Sequence, residues 1–216
     1  NLRGRSLSVE IWPYSFEEFL RAKKINIDRS LYDKKTQDIL TKLFHDYLST
    51  GGLPEVTNFP MDIRQKTLQD YLDVALYRDI IERHQIKNPS LIKYMILSMV
   101  HNTSKPFAIN KFYHDLKSQG HQIGKDTLYQ YAEHIEDAYL LFLMPIYEKS
   151  FRKTQLHPKK LYTIDPGMVR ACTFDYSQDL GRLFENVIYL DLRRLDCKIS
   201  YYLTSEHYEI DFLTQT

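Results

Sequence analysis

Residues 125–147, KDTLYQYAEHIEDAYLLFLMPIY, decide the fold class because the hydrophobic period changes within them. Apolar residues recur at helical spacing through Leu128–Ile135, whereas Leu141–Tyr147 is an apolar run of strand length. A second strand pattern follows at Lys160–Ile164, after a polar connection. The stretch therefore predicts a helix followed by a β-hairpin in an α+β, mostly helical protein.

Two further helices are predicted before this unit. Asn88 and Pro89 fit the N-cap and first position of one helix, and Phe107–Leu116 forms the next. Asp126 is expected to cap the third. Three helices followed by a hairpin is the order of a winged helix, which we place at residues 88–165.

The region before residue 88 predicts one strand and three helices. Leu7–Trp12 alternates as a strand, and Ser15 with Glu18 forms a capping box at the start of a short helix. Two longer helices are predicted over Asp33–Ser49 and Asp62–His84, separated by the helix-stopping pair Gly51-Gly52.

The region after the hairpin predicts a smaller unit. Asp165-Pro166-Gly167 is predicted to be a turn, and Pro166-Gly167 marks a domain boundary. A helix over Leu180–Leu195 and two alternating strands, residues 199–203 and 208–212, follow.

The composition favours a globular protein without a strong field of its own. The chain is 43% apolar and 26% charged, and its net charge is +1, so nucleic-acid contact requires a local basic patch. Cys172 and Cys197 lack zinc spacing, which favours a reducing, cytoplasmic location. No apolar run is long enough for a membrane span. The chain begins without Met, and we expect a fragment.

Three motifs resemble those of a prokaryotic family of AAA-type P-loop ATPases with a carboxy-terminal domain of uncertain function. Leu2-Arg3-Gly4-Arg5 with Ile11–Phe19 is similar to the end of the ATPase core. Gly51–Val56 is similar to the helical lid, and Gly181–Asn186 with Glu209–Phe212 is similar to a nuclease-like fold of the PD-(D/E)xK type.

The resemblance implies four regions. They are the end of the ATPase core (1–20), a helical lid (21–87), a winged helix (88–165) and an incomplete restriction-endonuclease-like α/β fold (166–216). It also implies that the parent protein binds ATP and Mg²⁺ through an upstream phosphate-binding loop. The chain has no G-x-x-x-x-G-K-[ST] sequence, so we expect no cofactor and no ATP hydrolysis in this fragment alone.

The function implied is to couple the nucleotide state to DNA or to a partner subunit, with no membrane partner. Two alternatives remain open, a protein-interaction module without chemistry and the remnant of a metal-dependent nuclease. Arg3 and Arg5 are candidates for sensing a neighbour's γ-phosphate, although ordinary surface pairing is the simpler explanation.

Two sets of side chains are candidate binding residues. The predicted recognition helix and wing contain residue types that can contact phosphates or bases. These residues are Lys125, Thr127, Tyr129, Gln130, Lys149, Arg152, Lys153, Lys159 and Lys160. By resemblance, Glu185 and Asp211 are metal candidates. The strand that would supply the remaining ligands is missing, so an inert scaffold is favoured.

Overall fold

A computed structural model describes residues 9–26, 33–173, 180–206 and 208–215. The described residues form an α+β protein that is mostly helical. The α-helices are α1 (Phe16–Ala22), α2 (Lys34–Thr50), α3 (Met61–Val74), α4 (Pro89–His101), α5 (Ile109–Ser118), α6 (Lys125–Asp137), α7 (Phe151–Leu156), α8 (Pro166–Cys172) and α9 (Leu180–Arg194). The strands are β1 (Pro106–Phe107), β2 (Leu141–Met144), β3 (Lys159–Thr163), β4 (Lys198–Leu203) and β5 (Glu209–Gln215).

Both predicted hairpins are confirmed as antiparallel pairs. β2 pairs with β3 from Leu141 opposite Thr163 to Met144 opposite Lys160. β1 joins the other edge of β3, which gives a three-stranded sheet in the order β1-β3-β2. β4 and β5 form a separate two-stranded sheet. A parallel bridge between Ile146 and Tyr201 connects the chain after β2 to β4.

Several helix boundaries follow the predicted signals. Ser15 and Glu18 form the full capping box of α1, and Asp33 caps α2 through the Thr36 amide. Asn88 caps α4, with Pro89 as its first residue. The α3 helix continues beyond Val74 as a π-helix over Ala75–Glu82, so the predicted long helix exists with a wider turn in its second half.

The predicted amino-terminal strand is corrected. The strand expected over Leu7–Trp12 has no regular structure at residues 9–12, and residues 7 and 8 lie outside the described ranges. Trp12 instead packs against the rings of Tyr139 and Phe142, with the guanidinium of Arg193 above it. This docking replaces strand pairing, since a strand needs a hydrogen-bonded neighbour.

Three further corrections concern a cap, a connection and a turn. Gly124 is the N-cap of α6, and Asp126 lies in its first turn, where a carboxylate still favours the helix dipole. The polar connection between the hairpin strands contains α7. The predicted turn at Asp165-Pro166-Gly167 is the start of α8, because Asp165 caps this helix and Pro166 occupies its first position.

Two hydrophobic clusters form the core, and each draws on several of the predicted regions. The larger one joins α1 and α2 to α4–α6, and it also includes Leu183 and Val187 of α9. The smaller one joins Val56 and Leu68 to β2, β3, α8 and α9. The α8 helix packs against α2 and α3 on the far side of the boundary placed at Pro166-Gly167. The division into four regions stays a prediction.

The carboxylate of Asp165 connects the Gly51-Gly52 pair with Gly167. The side chain is fully buried and accepts hydrogen bonds from the Gly52 amide (2.6 Å) and the Gly167 amide (2.7 Å). Burial raises its pKa to about 6, although the backbone donors oppose that shift. Gly51 has a φ of +80°, and a Cβ there would lie 1.9 Å from the Asp165 Oδ1 atom. A side chain at residue 51 therefore conflicts with this contact.

Replacing Asp165 by Asn should destabilise the protein by about 2–3 kcal/mol, because the Asn amide group would face a buried N–H donor. Urea unfolding followed by circular dichroism measures this difference. Asp38→Asn is the matched control, since Asp38 is exposed on α2, and it should change stability by less than about 0.5 kcal/mol. Equal stability of the two variants would contradict the role given to Asp165.

Two stacked histidines join the end of the π-helical segment to α6. The rings of His84 and His134 lie 3.6 Å apart at 13°, and the His84 Nε2 atom is buried without a described hydrogen-bond partner. Burial and the neighbouring His84 lower the pKa of His134, while Asp137 and Glu133 oppose this shift. The folded protein therefore holds the His134 proton less tightly than the unfolded chain does.

Acidification should weaken the fold through this pair. In the unfolded chain a His has a pKa of about 6.5, which is higher than the pKa of His134 in the folded protein. As the pH falls below that value, the unfolded chain binds the proton first, and the folded protein loses stability. Unfolding at pH values of roughly 7.5 and 5.5 should therefore show a smaller loss for His134→Gln than for the wild type. The exposed His45→Gln control should behave as the wild type, and an unchanged loss in His134→Gln would count against the stacked pair.

Candidate functional site

The side chain of Lys160 is the centre of a cluster of charged side chains. It lies on β3 and is only 2% exposed. Its ammonium contacts Glu185 at 2.6 Å, Glu209 at 2.6 Å and Asp211 at 2.9 Å. A single buried cation therefore connects β3 with α9 and β5.

The electrostatics of this cluster favour the charged ammonium. Burial alone would lower the pKa of Lys160, but the hydrogen bonds to Asp211, Glu185 and Glu209 outweigh it and raise the pKa. The amine therefore stays protonated at neutral pH. Three carboxylates against one ammonium leave the cluster with an excess of negative charge when all three are ionised.

Tyr162 extends the cluster along the same strand. Its hydroxyl donates to the Glu185 Oε1 atom at 2.7 Å, and its ring stacks on Tyr189 at 4.1 Å. Burial and the bond to Glu185 raise the pKa of the Tyr162 hydroxyl. The phenol is therefore a hydrogen-bond donor at neutral pH and holds Glu185 against β3.

The next residue on α9, Asn186, fixes the helix to the backbone of β3. Its side-chain oxygen accepts from the Thr163 amide at 2.8 Å, and its amide group donates to the Thr163 carbonyl at 3.1 Å. Asn186 is fully buried. Glu185-Asn186 thus docks α9 onto one strand, a role that the resemblance to a family motif did not predict.

The two predicted metal candidates, Glu185 and Asp211, are brought together, but around an ammonium. Lys160 occupies the position between their carboxylates. Within the described ranges, no group of three or more His, Cys, Asp or Glu side chains is arranged to hold a metal ion. The Lys160 ammonium is therefore the cation that these two carboxylates share in the structure.

Lys160 is also a correction to the predicted nucleic-acid interface. The sequence assigned it to a cationic wing, but its ammonium is buried and bound to three carboxylates, so it is not available to a phosphate. Its neighbour Lys159 is half-buried and lies near Glu136. Strand alternation explains this difference, because adjacent residues of β3 point to opposite faces.

The other wing cations remain exposed. Lys149, Arg152 and Lys153 lie just before and within α7, and none forms an ion pair with a residue that the structure describes. On α6, Gln130 is exposed and Thr127 is half-buried, while the Lys125 ammonium lies 5.9 Å from the ring centre of Tyr129. Arg3 and Arg5 lie outside the described residues.

The two sides of α7 differ in charge. One side faces a cleft shared with α6, and its lining includes Glu133, Glu136 and Lys159. The other side faces an open groove against β4 and β5, where Lys149 and Lys153 are accompanied by one acid, Glu148. The β4–β5 side therefore has the more positively charged lining.

Among the described residues, no helix is both long and apolar enough to cross a bilayer.

This α+β chain belongs to the family described as "Domain of unknown function (DUF8612)", whose model matches residues 41–179. It is similar to an uncharacterized protein of Methanocaldococcus jannaschii, with 34% identity over 99% of this chain and 48% of the relative. An uncharacterized protein of Haemophilus influenzae is 26% identical over 89% of this chain and 46% of its own length. The chain thus spans about half the length of these relatives. No solved structure matches it.

Replacing Lys160 by Met should destabilise the protein by about 2–4 kcal/mol, because three carboxylates would lose their shared cation. The value lies below that of a fully buried pair, since Glu209 and Asp211 are partly solvated. Thermal and urea unfolding measure the effect. Lys198→Met, an exposed residue on neighbouring β4, is the matched control and should be nearly neutral. Stability of Lys160→Met equal to that of the control would refute the bridging role.

Proposed function

We propose that this chain is a DNA-binding region of an AAA-type ATPase, in which a winged helix contacts DNA and transmits the nucleotide state of the ATPase core. The topology supports the winged-helix part of this proposal. The order α4-β1-α5-α6-β2-β3, with sheet order β1-β3-β2, matches the succession of three helices and a terminal hairpin. The connection between β2 and β3 is then the wing.

The observation that carries the DNA-binding proposal is the exposed cation set Lys149, Arg152 and Lys153. Three cations within five residues on one connection can neutralise successive phosphates, and no described carboxylate binds them. The exposed α6 residues Glu133 and Asp137 would repel a phosphate backbone. The wing is therefore the main electrostatic contact in this proposal.

The ATPase part of the proposal depends on the sequence resemblance. The relatives are about twice as long as the chain, which is compatible with an additional nucleotide-binding core in those proteins. The chain has no G-x-x-x-x-G-K-[ST] sequence to cradle a triphosphate, so we expect this chain by itself to bind DNA without hydrolysing ATP. An interaction module that binds a partner protein is the second candidate function.

Replacing Lys149, Arg152 and Lys153 together by Ala should weaken DNA binding by about tenfold or more and reduce the salt slope by roughly 2–3. Fluorescence anisotropy of labelled DNA over a salt series measures both values. The matched control replaces Lys34, Lys35 and Lys42 of α2, which are also exposed, so that the net charge changes equally. Equal weakening in both variants would mean that bulk charge, not the wing, governs binding.

The wild-type salt response separates the two candidate functions. DNA binding through phosphates predicts an affinity that falls steeply as salt rises. Absence of binding even at low salt would remove the DNA proposal and leave the protein-interaction module as the better explanation.

A further inference from the structure

The groove on the β4–β5 side of α7 has features beyond a positive charge. It is an open groove with a volume of about 630 Å³, which falls within the range of roughly 300–1,000 Å³ typical of ligand pockets. Its lining combines two tyrosine rings with two lysines and an apolar floor that includes Ile210. We call this surface the tyrosine groove, lined by Tyr147, Lys149, Lys153, Tyr202 and Ile210.

Backbone hydrogen bonds hold the chain at Tyr147 beside β4, the strand that carries Tyr202. The Tyr147 amide donates to the Tyr201 carbonyl at 2.6 Å, and the Tyr201 amide donates to the Pro145 carbonyl at 3.1 Å. These bonds place Tyr147 next to β4, so its ring lies 6.3 Å from the ring of Tyr202 at 68°. Rings that are already positioned lose little conformational entropy when a flat ligand binds.

Both rings are accessible as well as positioned. Tyr147 and Tyr202 are each 37% exposed, and Ile210 is 48% exposed. The alternation of β5 explains the apolar floor, because Glu209 and Asp211 point to Lys160 while Ile210 points the other way. The groove therefore offers aromatic and apolar surface to a ligand.

The charges select the kind of ligand. Lys149 and Lys153 lie on the groove and form no ion pair with a described residue. The single acid on the lining, Glu148, has the His157 Nε2 atom 3.9 Å from its carboxylate. Aromatic faces next to unpaired cations are the combination that binds single-stranded nucleic acid, through base stacking and phosphate contact.

We propose that the tyrosine groove binds unpaired nucleic-acid bases, which stack on Tyr147 and Tyr202 while Lys149 and Lys153 contact the adjoining phosphates. This inference rests on the proposed nucleic-acid binding and specifies its ligand as a single strand. The bases of an intact duplex are stacked inside the helix and cannot reach the two rings. The groove therefore distinguishes single-stranded from double-stranded DNA.

Fluorescence anisotropy with a labelled oligothymidine and with a duplex of equal length tests the proposal. The wild type should bind the single strand more tightly than the duplex. Replacing Tyr147 and Tyr202 together by Leu should weaken single-strand binding by about tenfold or more, because stacking is lost while apolar volume is kept. The Phe double variant keeps both rings and should bind within about threefold of the wild type.

The control is the double variant Tyr77→Leu, Tyr94→Leu, which removes two exposed tyrosines elsewhere and should leave binding unchanged. Photocrosslinking of wild-type protein to a bromouracil-containing single strand gives a readout that does not depend on the variants folding. Crosslinks at Tyr147 or Tyr202 support the groove. Crosslinks confined to Lys125–Gln130 of α6 overturn it.

The outcomes separate the groove from the proposed function. Equal binding of single strand and duplex, with no effect of the Leu variants, overturns the groove but leaves DNA binding through the wing in place. Failure of the wild type to bind either DNA at low salt overturns both. Single-strand preference that is lost in the Leu variant and kept in the Phe variant supports the groove.

Discussion

The rest of the structure depends on a buried carboxylate that is held by backbone amides. Asp165 lies at the start of α8, just after β3, and its two oxygens accept from the amides of Gly52 and Gly167. This contact fixes the start of α8 against the Gly51-Gly52 segment that follows α2, close to the end of β3. Burial of a charged group is costly, so the close approach of Gly51 and Gly52, which have no side chains, is a physical requirement of the fold.

The second constraint is the charge at the other end of β3. Lys160 draws Glu185 of α9 and two acids of β5 onto the sheet that carries the wing. The terminal hairpin is therefore linked to β3 by ion pairs, although β4 and β5 form a separate sheet. A separate contact, the backbone bridge between Ile146 and Tyr201, brings Tyr202 of β4 next to Tyr147 and creates the surface that we assign to unpaired bases.

Local patterns predicted a large part of the secondary structure but little of the candidate site. The capping box at Ser15, the Asn88-Pro89 helix start and both hairpins follow from short-range signals, and the structure confirms them. The π-helical segment and α7 have no comparable sequence signal. The sequence places Lys160 among the cations of the predicted wing, because proximity in sequence does not show which face of a strand a residue occupies.

The sequence by itself determined the long helices, both hairpins, the caps at Ser15 and Asn88, and the cationic character of the wing, because these depend on residues close in the chain. Only the tertiary structure decided that Glu185 and Asp211 meet Lys160, that Asp165 meets Gly52, and that Tyr147 meets Tyr202. Each of these contacts joins residues far apart in sequence. Their geometry is set by the packing of α8, α9 and β4 around β3, which short-range hydrophobic periodicity does not specify.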